Sequence, residues 1–191
     1  MRRVLVVTAA VALVAVVAIG LAQAGGSAEP EPAGEARFDL EQARGELAGA
    51  PAPLASLHAQ SNELLDSGFE ARMKTLEEYP VVINKWASWC GPCRAEFPIF
   101  QRVATEQGRE VAFLGLNAGD ARPAAEAFLA ERPLPYPSYE DSEEEIAREL
   151  RGAKYFPMTV FVEPGGDIAF VKAGEYRSAA DLQADIDRYL G

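Results

Sequence analysis

The sequence predicts an α/β domain with a mixed sheet, and three observations support this fold class. An apolar run from Val81 to about Ala87 indicates a central strand that is covered on both faces. Strand and helix patterns then alternate, which is typical of a sheet whose strands start out parallel. The sequence Glu-Pro-Gly-Gly at 163–166 separates two short apolar segments, so it predicts an antiparallel hairpin at the end of the sheet.

The elements of this domain carry local signals of their own. Gly108 is a stop signal for the first long helix, and the prolines within 133–137 break the next one. Ser178 caps the last helix, with Asp181 three residues on. The predicted elements are a strand from Val81 to about Ala87, a helix from about Gly91 to Gln107, a strand at Val111–Leu116, a helix at Ala121–Glu131, an extended piece near Ser138 and Tyr139, a short helix at Glu143–Leu150, strands at Met158–Val162 and Ile168–Val171, and the final helix after Ser178.

The region before the sheet predicts a helical extension over residues 38–79. Its leucines recur at helix-like intervals, and two breaks, 49–53 and Ser67-Gly68, divide it. A third helix is predicted at Phe69–Glu78. No residue of this extension suggests a reaction, so we expect it to cap the domain at 80–191.

The N-terminus predicts a membrane-directed segment over residues 1–24. Two arginines precede an apolar run that is long enough to cross a bilayer as a helix, which places the rest of the chain outside the cytoplasm. Ala22-Gln23-Ala24 is similar to a signal-peptide cleavage site. We therefore expect either a single-pass cell-membrane anchor or, if the segment is cleaved, a secreted protein. Residues 25–37 lack large apolar side chains and predict a flexible linker.

The charge of the chain excludes one large class of function. The 191 residues include 18 Lys and Arg and 29 Asp and Glu, and the net charge is −11. Arg2 and Arg3 are two of the basic residues, so the soluble body is more acidic still. Such a body repels phosphate backbones, and nucleic-acid binding is not expected.

The chemistry is predicted at Cys90 and Cys93, the only cysteines, which lie where a strand meets a helix. Unpaired N–H groups and the dipole at a helix start favour an anion, so the pKa of the Cys90 thiol should fall. Cys93 follows one turn later and can resolve a mixed disulfide. Gly91 is expected to allow a tight turn, and Pro92 suits the first helical turn.

The sequence NKWASWCGPCRAEF at 84–97 resembles the membrane-anchored TlpA/ResA group of the thioredoxin superfamily. The resemblance extends over about Pro80 to Gly191. It includes Pro98, eight residues after Cys90, and an insertion-like segment near 121–139. It implies a thioredoxin-like fold with a central mixed sheet flanked by helices, and dithiol–disulfide exchange with protein substrates. No bound cofactor or metal is implied.

The resemblance also implies roles for residues around the cysteines. Pro157 would follow a cis peptide bond and present the backbone of Phe156 to an extended substrate, to which Trp89, Gly91 and Pro92 would also lie close. The alternative for Pro157 is a strand-start proline without function.

Glu96 would lie near the cysteines and accept the proton of Cys93. The alternative is a solvated helix glutamate. Asn84 stands where plain thioredoxin has a titratable aspartate. Lys85 either pairs with a carboxylate or, in the preferred interpretation, extends its stem to the surface.

Several readings of the two cysteines stay open at this point. Half of a zinc site would need further ligands, and His58 is the only histidine of the sequence. A structural disulfide in a scaffold domain would close only a very short loop. A peroxide-reducing enzyme of the same superfamily would carry its attacking cysteine in another motif. The resemblance favours an extracytoplasmic reductant, for example in cytochrome c maturation, supplied with electrons by a membrane protein. An oxidant or an isomerase is the alternative.

Overall fold

The computed structural model describes residues 37–152 and 154–191. These residues form seven helices and six strands. In chain order they are α1 Leu40–Glu46, α2 Ala52–His58, β1 Leu64–Leu65, α3 Phe69–Thr75, β2 Val81–Trp86, α4 Gly91–Gln107, β3 Ala112–Ala118, α5 Arg122–Glu131, β4 Ser138–Asp141, α6 Glu145–Glu149, β5 Met158–Val162, β6 Ile168–Ala173 and α7 Ala179–Leu190. The predicted segment 1–24 and nearly all of the linker 25–37 lie outside the described residues.

The strands form one mixed sheet in the order β1-β4-β3-β2-β5-β6. β1, β4, β3 and β2 run parallel, and β2–β5 and β5–β6 are antiparallel. The predicted mixed α/β sheet is therefore confirmed, and so is the hairpin at 163–166. Gly165 and Gly166 have φ values of 99° and 91°, which glycine adopts without the penalty other residues incur.

Both faces of the sheet are covered at β2, which explains the apolar sequence of this strand. Every residue of β2 is buried. Trp86, Phe97 and Phe128 pack in the core on the side of α4 and α5. Ile83 packs on the other side against Leu54 and Leu57 of α2. The predicted helical extension thus supplies side chains to both cores, since Leu64 packs in the first and Leu54 and Leu57 in the second.

One part of the extension differs from the prediction. Leu64 and Leu65 form β1, which pairs with Ser138 and Tyr139 of β4. The backbone of Asn62 turns into this strand with φ of 68°, and its side chain receives a hydrogen bond from the Leu134 amide at 2.9 Å. Spacing of leucines alone does not distinguish such a two-residue strand from a helix, because the pairing partner lies over 70 residues away in sequence.

Helix ends follow their local sequence. The Ser178 hydroxyl caps α7 by accepting a hydrogen bond from the Asp181 amide at 3.1 Å, as predicted. Pro98 lies inside α4.

Within residues 37–152 and 154–191, no helix combines the length and apolar character needed to cross a bilayer.

Candidate active site

Cys90 and Cys93 are joined by a disulfide bond at the N-terminus of α4. Cys90 is the N-cap residue, and its sulfur accepts a hydrogen bond from the Cys93 amide at 3.2 Å. Cys90 retains 4% of its accessible surface, whereas Cys93 retains none. A thiol from outside can therefore reach the disulfide only at the sulfur of Cys90, and a helix N–H already points to that sulfur.

Gly91 and Pro92 form the exposed first turn of α4. A Cβ added at Gly91 would meet no atom within 4 Å, and the φ of Gly91 is not positive. The turn at Gly91 therefore does not depend on glycine, since the backbone there is open to any residue. What glycine does leave is an uncovered surface next to Cys90.

Asp120 fixes the turn that precedes the cysteines. Its carboxylate accepts hydrogen bonds from the Ser88 amide at 2.6 Å and from the Ser88 hydroxyl at 3.0 Å. The Asn117 side chain also donates to Asp120, at 3.0 Å. The β3–α5 turn thus holds the β2–α4 turn in place. Sequence reasoning missed Asp120, although an aspartate at the carboxyl end of a strand neighbouring β2 was an available signal.

Three aromatic side chains lie in the two segments that carry Cys90 and Pro157. Trp89 is 60% exposed, and its indole N–H donates to the Gly119 carbonyl at 3.0 Å. The rings of Trp89 and Phe156 lie 4.9 Å apart. Tyr155 is 58% exposed, and sequence reasoning missed it. Trp89 and Tyr155 are the exposed large apolar residues of the part of the chain that the structure describes.

The Phe156–Pro157 peptide bond is cis, as the resemblance implied. Pro157 directly precedes β5, whose first residue, Met158, pairs with Lys85 near the end of β2. Because α4 begins just beyond that end of β2, Pro157 lies at the same edge of the sheet as the cysteines.

Glu96 is completely buried one turn after Cys93 in α4. Its carboxylate accepts hydrogen bonds from the Asn84 side-chain amide at 2.7 Å and from the Tyr176 backbone amide at 2.9 Å. Burial raises the pKa of Glu96 to about 7, and the two hydrogen bonds and nearby Lys172 only partly oppose this effect. The alternative of a solvated helix glutamate is therefore wrong.

A row of polar residues crosses the sheet beneath Glu96. Asn84 pairs with Thr159, and Thr159 pairs with Lys172. The Asn84 Oδ1 and Thr159 Oγ1 atoms are buried and have no hydrogen-bond partner among the described residues. The Lys172 ammonium donates to the carbonyls of Gly174 and Glu175 at 2.8 and 3.0 Å, which fixes the loop that carries the Tyr176 amide. Asn84 thus contacts Glu96 without itself titrating.

Lys85 points to the opposite face of the sheet and is also completely buried. Its ammonium lies 2.6 Å from the Glu144 carboxylate. The preferred expectation that its stem extends to the surface is therefore wrong, and the alternative, a carboxylate partner, is confirmed.

Comparison with known proteins places this site in a family. Residues 48–171 match the AhpC/TSA family. The chain belongs to the AhpC/TSA family. It is 30% identical over 129 residues to the thiol-disulfide oxidoreductase ResA of Oceanobacillus iheyensis, covering 66% of this chain and 65% of that protein, slightly under two thirds of its length. It is 31% identical over 143 residues to the thiol:disulfide interchange protein DsbE of Escherichia coli K12, covering 74% of this chain and 72% of that protein.

The fold of this AhpC/TSA member also matches solved structures. A secreted thiol-disulfide isomerase from Corynebacterium glutamicum superimposes with a TM-score of 0.55 at 29% identity, covering 62% of this chain and 72% of that chain. The thioredoxin-like fold and the resemblance to ResA-type proteins are therefore confirmed.

The metal-site reading finds no support in this AhpC/TSA domain. His58 lies against Gly108, at the end of α4 opposite to Cys90, and burial lowers its pKa. Within the described ranges, no group of three or more His, Cys, Asp or Glu side chains is arranged to hold a metal ion. The fold therefore keeps His58 and the two cysteines apart.

Proposed function

We propose that this chain is an extracytoplasmic thiol–disulfide oxidoreductase that reduces disulfides of protein substrates. The observation that carries the proposal is the Cys90–Cys93 disulfide at the start of α4, with completely buried Glu96 one turn later. The relatives with this domain are named as thiol-disulfide oxidoreductases or interchange proteins. No bound cofactor takes part in the reaction that we propose.

In the first step, the Cys90 thiolate attacks one sulfur of a substrate disulfide. A mixed disulfide forms between Cys90 and the substrate, and the other substrate sulfur leaves as a thiolate that takes up a proton from solvent. The Cys93 amide and the start of α4 stabilise the Cys90 thiolate. Exposed Trp89, Tyr155 and the Phe156–Pro157 backbone form the surface that receives the substrate chain.

In the second step, Cys93 attacks the sulfur of Cys90. The Cys93 thiol first loses its proton, and we assign the Glu96 carboxylate as the base. A pKa of about 7 suits this task, because the carboxylate can accept a proton near neutral pH and release it again. The substrate then leaves as a dithiol, and its two electrons have come from the Cys90–Cys93 pair.

The oxidised pair must be reduced before another cycle. We infer a membrane protein as the electron donor, because a reductant outside the cytoplasm has no direct access to the cytoplasmic thiol pool. Cytochrome c maturation is a reductive task of this kind. We further propose that residues 1–24 anchor the protein in the cell membrane, with the catalytic domain outside. Extraction of the full-length protein with carbonate and with detergent tests this anchor, and release by carbonate alone would contradict it.

Trapping of the mixed disulfide tests the exchange reaction. The reduced Cys93→Ala variant should accumulate a covalent complex through Cys90 with client proteins that contain a disulfide, and dithiothreitol should release it. The Cys90→Ala variant is the matched control and should trap nothing, because Cys93 is buried. A Cys93→Ala variant that traps no protein would support a scaffold with a structural disulfide instead.

The reduction potential decides the direction of exchange. A value near ~−270 mV indicates a reductant such as thioredoxin, and a value near ~−120 mV indicates a strong oxidant. The reduced wild-type protein should also cleave insulin disulfides faster than it consumes hydrogen peroxide. The opposite order would favour a peroxide-reducing enzyme.

A further inference from the structure

Lys85 carries a charge into the interior of the sheet. The residue lies in β2, and its side chain has no exposed surface. Burial of an ammonium group is unfavourable unless fixed acceptors replace the lost water. Its neighbour Asn84 points to the other face, toward Glu96. Lys85 therefore needs an explanation separate from the acid–base chemistry of Glu96.

Three groups that contact the ammonium come from one stretch of chain between β4 and β5. They are the Glu144 carboxylate at 2.6 Å, the Gly152 carbonyl at 3.2 Å and the ring of Phe156, whose centroid lies 3.8 Å away. We call Lys85 with these three partners the Lys85 clamp. Its contacts attach the segment that leads into Pro157 to the central strand of the sheet.

The backbone of Glu144 supports a specific function of the clamp. Glu144 has φ of 55°, in the left-handed region that non-glycine residues seldom adopt. Its side chain is only 29% exposed. A glutamate in this conformation is favoured when its carboxylate makes contacts that compensate for the strain, and Lys85 provides one.

The clamp reaches the active site through Phe156. One face of the Phe156 ring contacts the Lys85 ammonium, and the ring also packs 4.9 Å from Trp89. Trp89 directly precedes Cys90 and is held by the Gly119 carbonyl. A Cβ added at Gly119 would lie 3.3 Å from Glu144 and 3.8 Å from Phe156. These contacts join the buried ammonium to the aromatic surface beside the cysteines.

We propose that Lys85 is a positioning residue that holds Phe156 and Trp89 in the arrangement that binds the substrate chain beside Cys90. The inference rests on the proposed function, because the bound chain is the protein disulfide substrate. Lys85 does not touch the sulfur atoms in this proposal. It sets the affinity for extended protein substrates and leaves the exchange step between sulfur atoms unchanged.

The Lys85→Met variant of the full-length protein tests this proposal. Methionine is unbranched and apolar, so it can fill the buried site without a charge, and the remaining Glu144 carboxylate is partly exposed to solvent. We expect KM for insulin to rise about thirtyfold, as for the loss of one desolvated cation–π contact, with kcat within about twofold. The rate with the small substrate hydroxyethyl disulfide should not change. The Lys74→Met variant, an exposed lysine on α3, is the matched control and should match the wild type.

Equal losses with insulin and hydroxyethyl disulfide, or an unchanged KM for insulin, would overturn the proposal. If Lys85→Met does not fold, Glu144→Gln takes its place, because it weakens the same ion pair and keeps the lysine. Glu144→Gln should raise KM for insulin in the same direction by a smaller factor. An unchanged KM in that variant would contradict the role of the clamp.

A second readout separates this inference from the proposed function. The indole N–H signal of Trp89 in NMR spectra lies within reach of the Phe156 ring current and should shift in Lys85→Met, whereas that of Trp86 should not. If the wild type fails to reduce insulin but the Trp89 signal still shifts in Lys85→Met, the positioning contact is supported and the proposed function is contradicted. If the Trp89 signal does not shift, the positioning role of the Lys85 clamp is contradicted, whatever the activity of the variant.

Discussion

Replacement of Glu96 by glutamine should remove the loss of stability that this carboxyl group causes as pH rises from 4.5 to about 7. The glutamate is completely buried, and burial raises its pKa from 4.5 to about 7. Glutamine has nearly the same shape and cannot ionise. Its amide can exchange hydrogen bonds with Asn84, whose Oδ1 has no partner among the described residues and can accept one. The variant therefore isolates the charge from the packing.

The sign and size of the effect follow from the two pKa values. Below pH 4.5, Glu96 is protonated in both the folded and the unfolded chain, so it contributes no difference. Between pH 4.5 and about 7 the unfolded chain loses this proton before the folded chain does, and the free energy of unfolding falls as pH rises. At ~1.36 kcal/mol per pKa unit, the loss amounts to about 3 kcal/mol at pH 8.

Urea denaturation of the oxidised proteins measures this effect. Wild type and Glu96→Gln should have similar free energies of unfolding near pH 4, and the variant should be more stable by about 3 kcal/mol at pH 8. Glu106→Gln, an exposed residue of the same helix, is the control and should follow the wild-type curve. Parallel curves for wild type and Glu96→Gln from pH 4 to 8 would refute the assignment of a raised pKa to this carboxyl group.

Three further substitutions test other parts of the site and the fold. Lys172→Met should raise the pKa of Glu96 further, because the positive charge of Lys172 lowers it in the wild type. An unchanged or lower pKa in ¹³C NMR of the Glu96 carboxyl group would contradict this. Thr159→Val should leave stability in urea unchanged or increase it, because the buried hydroxyl has no partner among the described residues, and a loss of more than about 1 kcal/mol would contradict this. Ser178→Ala should cost about 1 kcal/mol by loss of the α7 cap, and unchanged urea unfolding would contradict the capping role.

Local signals predicted the sheet well where neighbouring strands are also close in sequence. The apolar residues at 81–87 predict a strand that is buried on both faces. The glycines of the hairpin at 163–166 predict backbone with positive φ. β1 was missed because a strand of two residues is stable only through its pairing with β4, and pairing across the fold leaves no periodic pattern in the sequence.

The active site was predictable where a motif specifies position. Cys90 and Cys93 follow from the strand–helix junction, and the cis bond before Pro157 followed from the resemblance. The states of Glu96 and Lys85 could not be derived, because burial depends on what the rest of the fold places around them. Glu144, which pairs with Lys85, is 59 residues away, and nothing in its local sequence connects it to β2.

The short strand β1 has a consequence for any shortened version of this protein. A chain trimmed to begin at residue 80 would resemble a minimal thioredoxin in length, yet it would leave the backbone of Ser138 and Tyr139 as an open sheet edge. It would also uncover the apolar surface that Leu54 and Leu57 shield. Open edges next to exposed apolar surface promote intermolecular strand pairing, so such a fragment should aggregate even though it contains both cysteines.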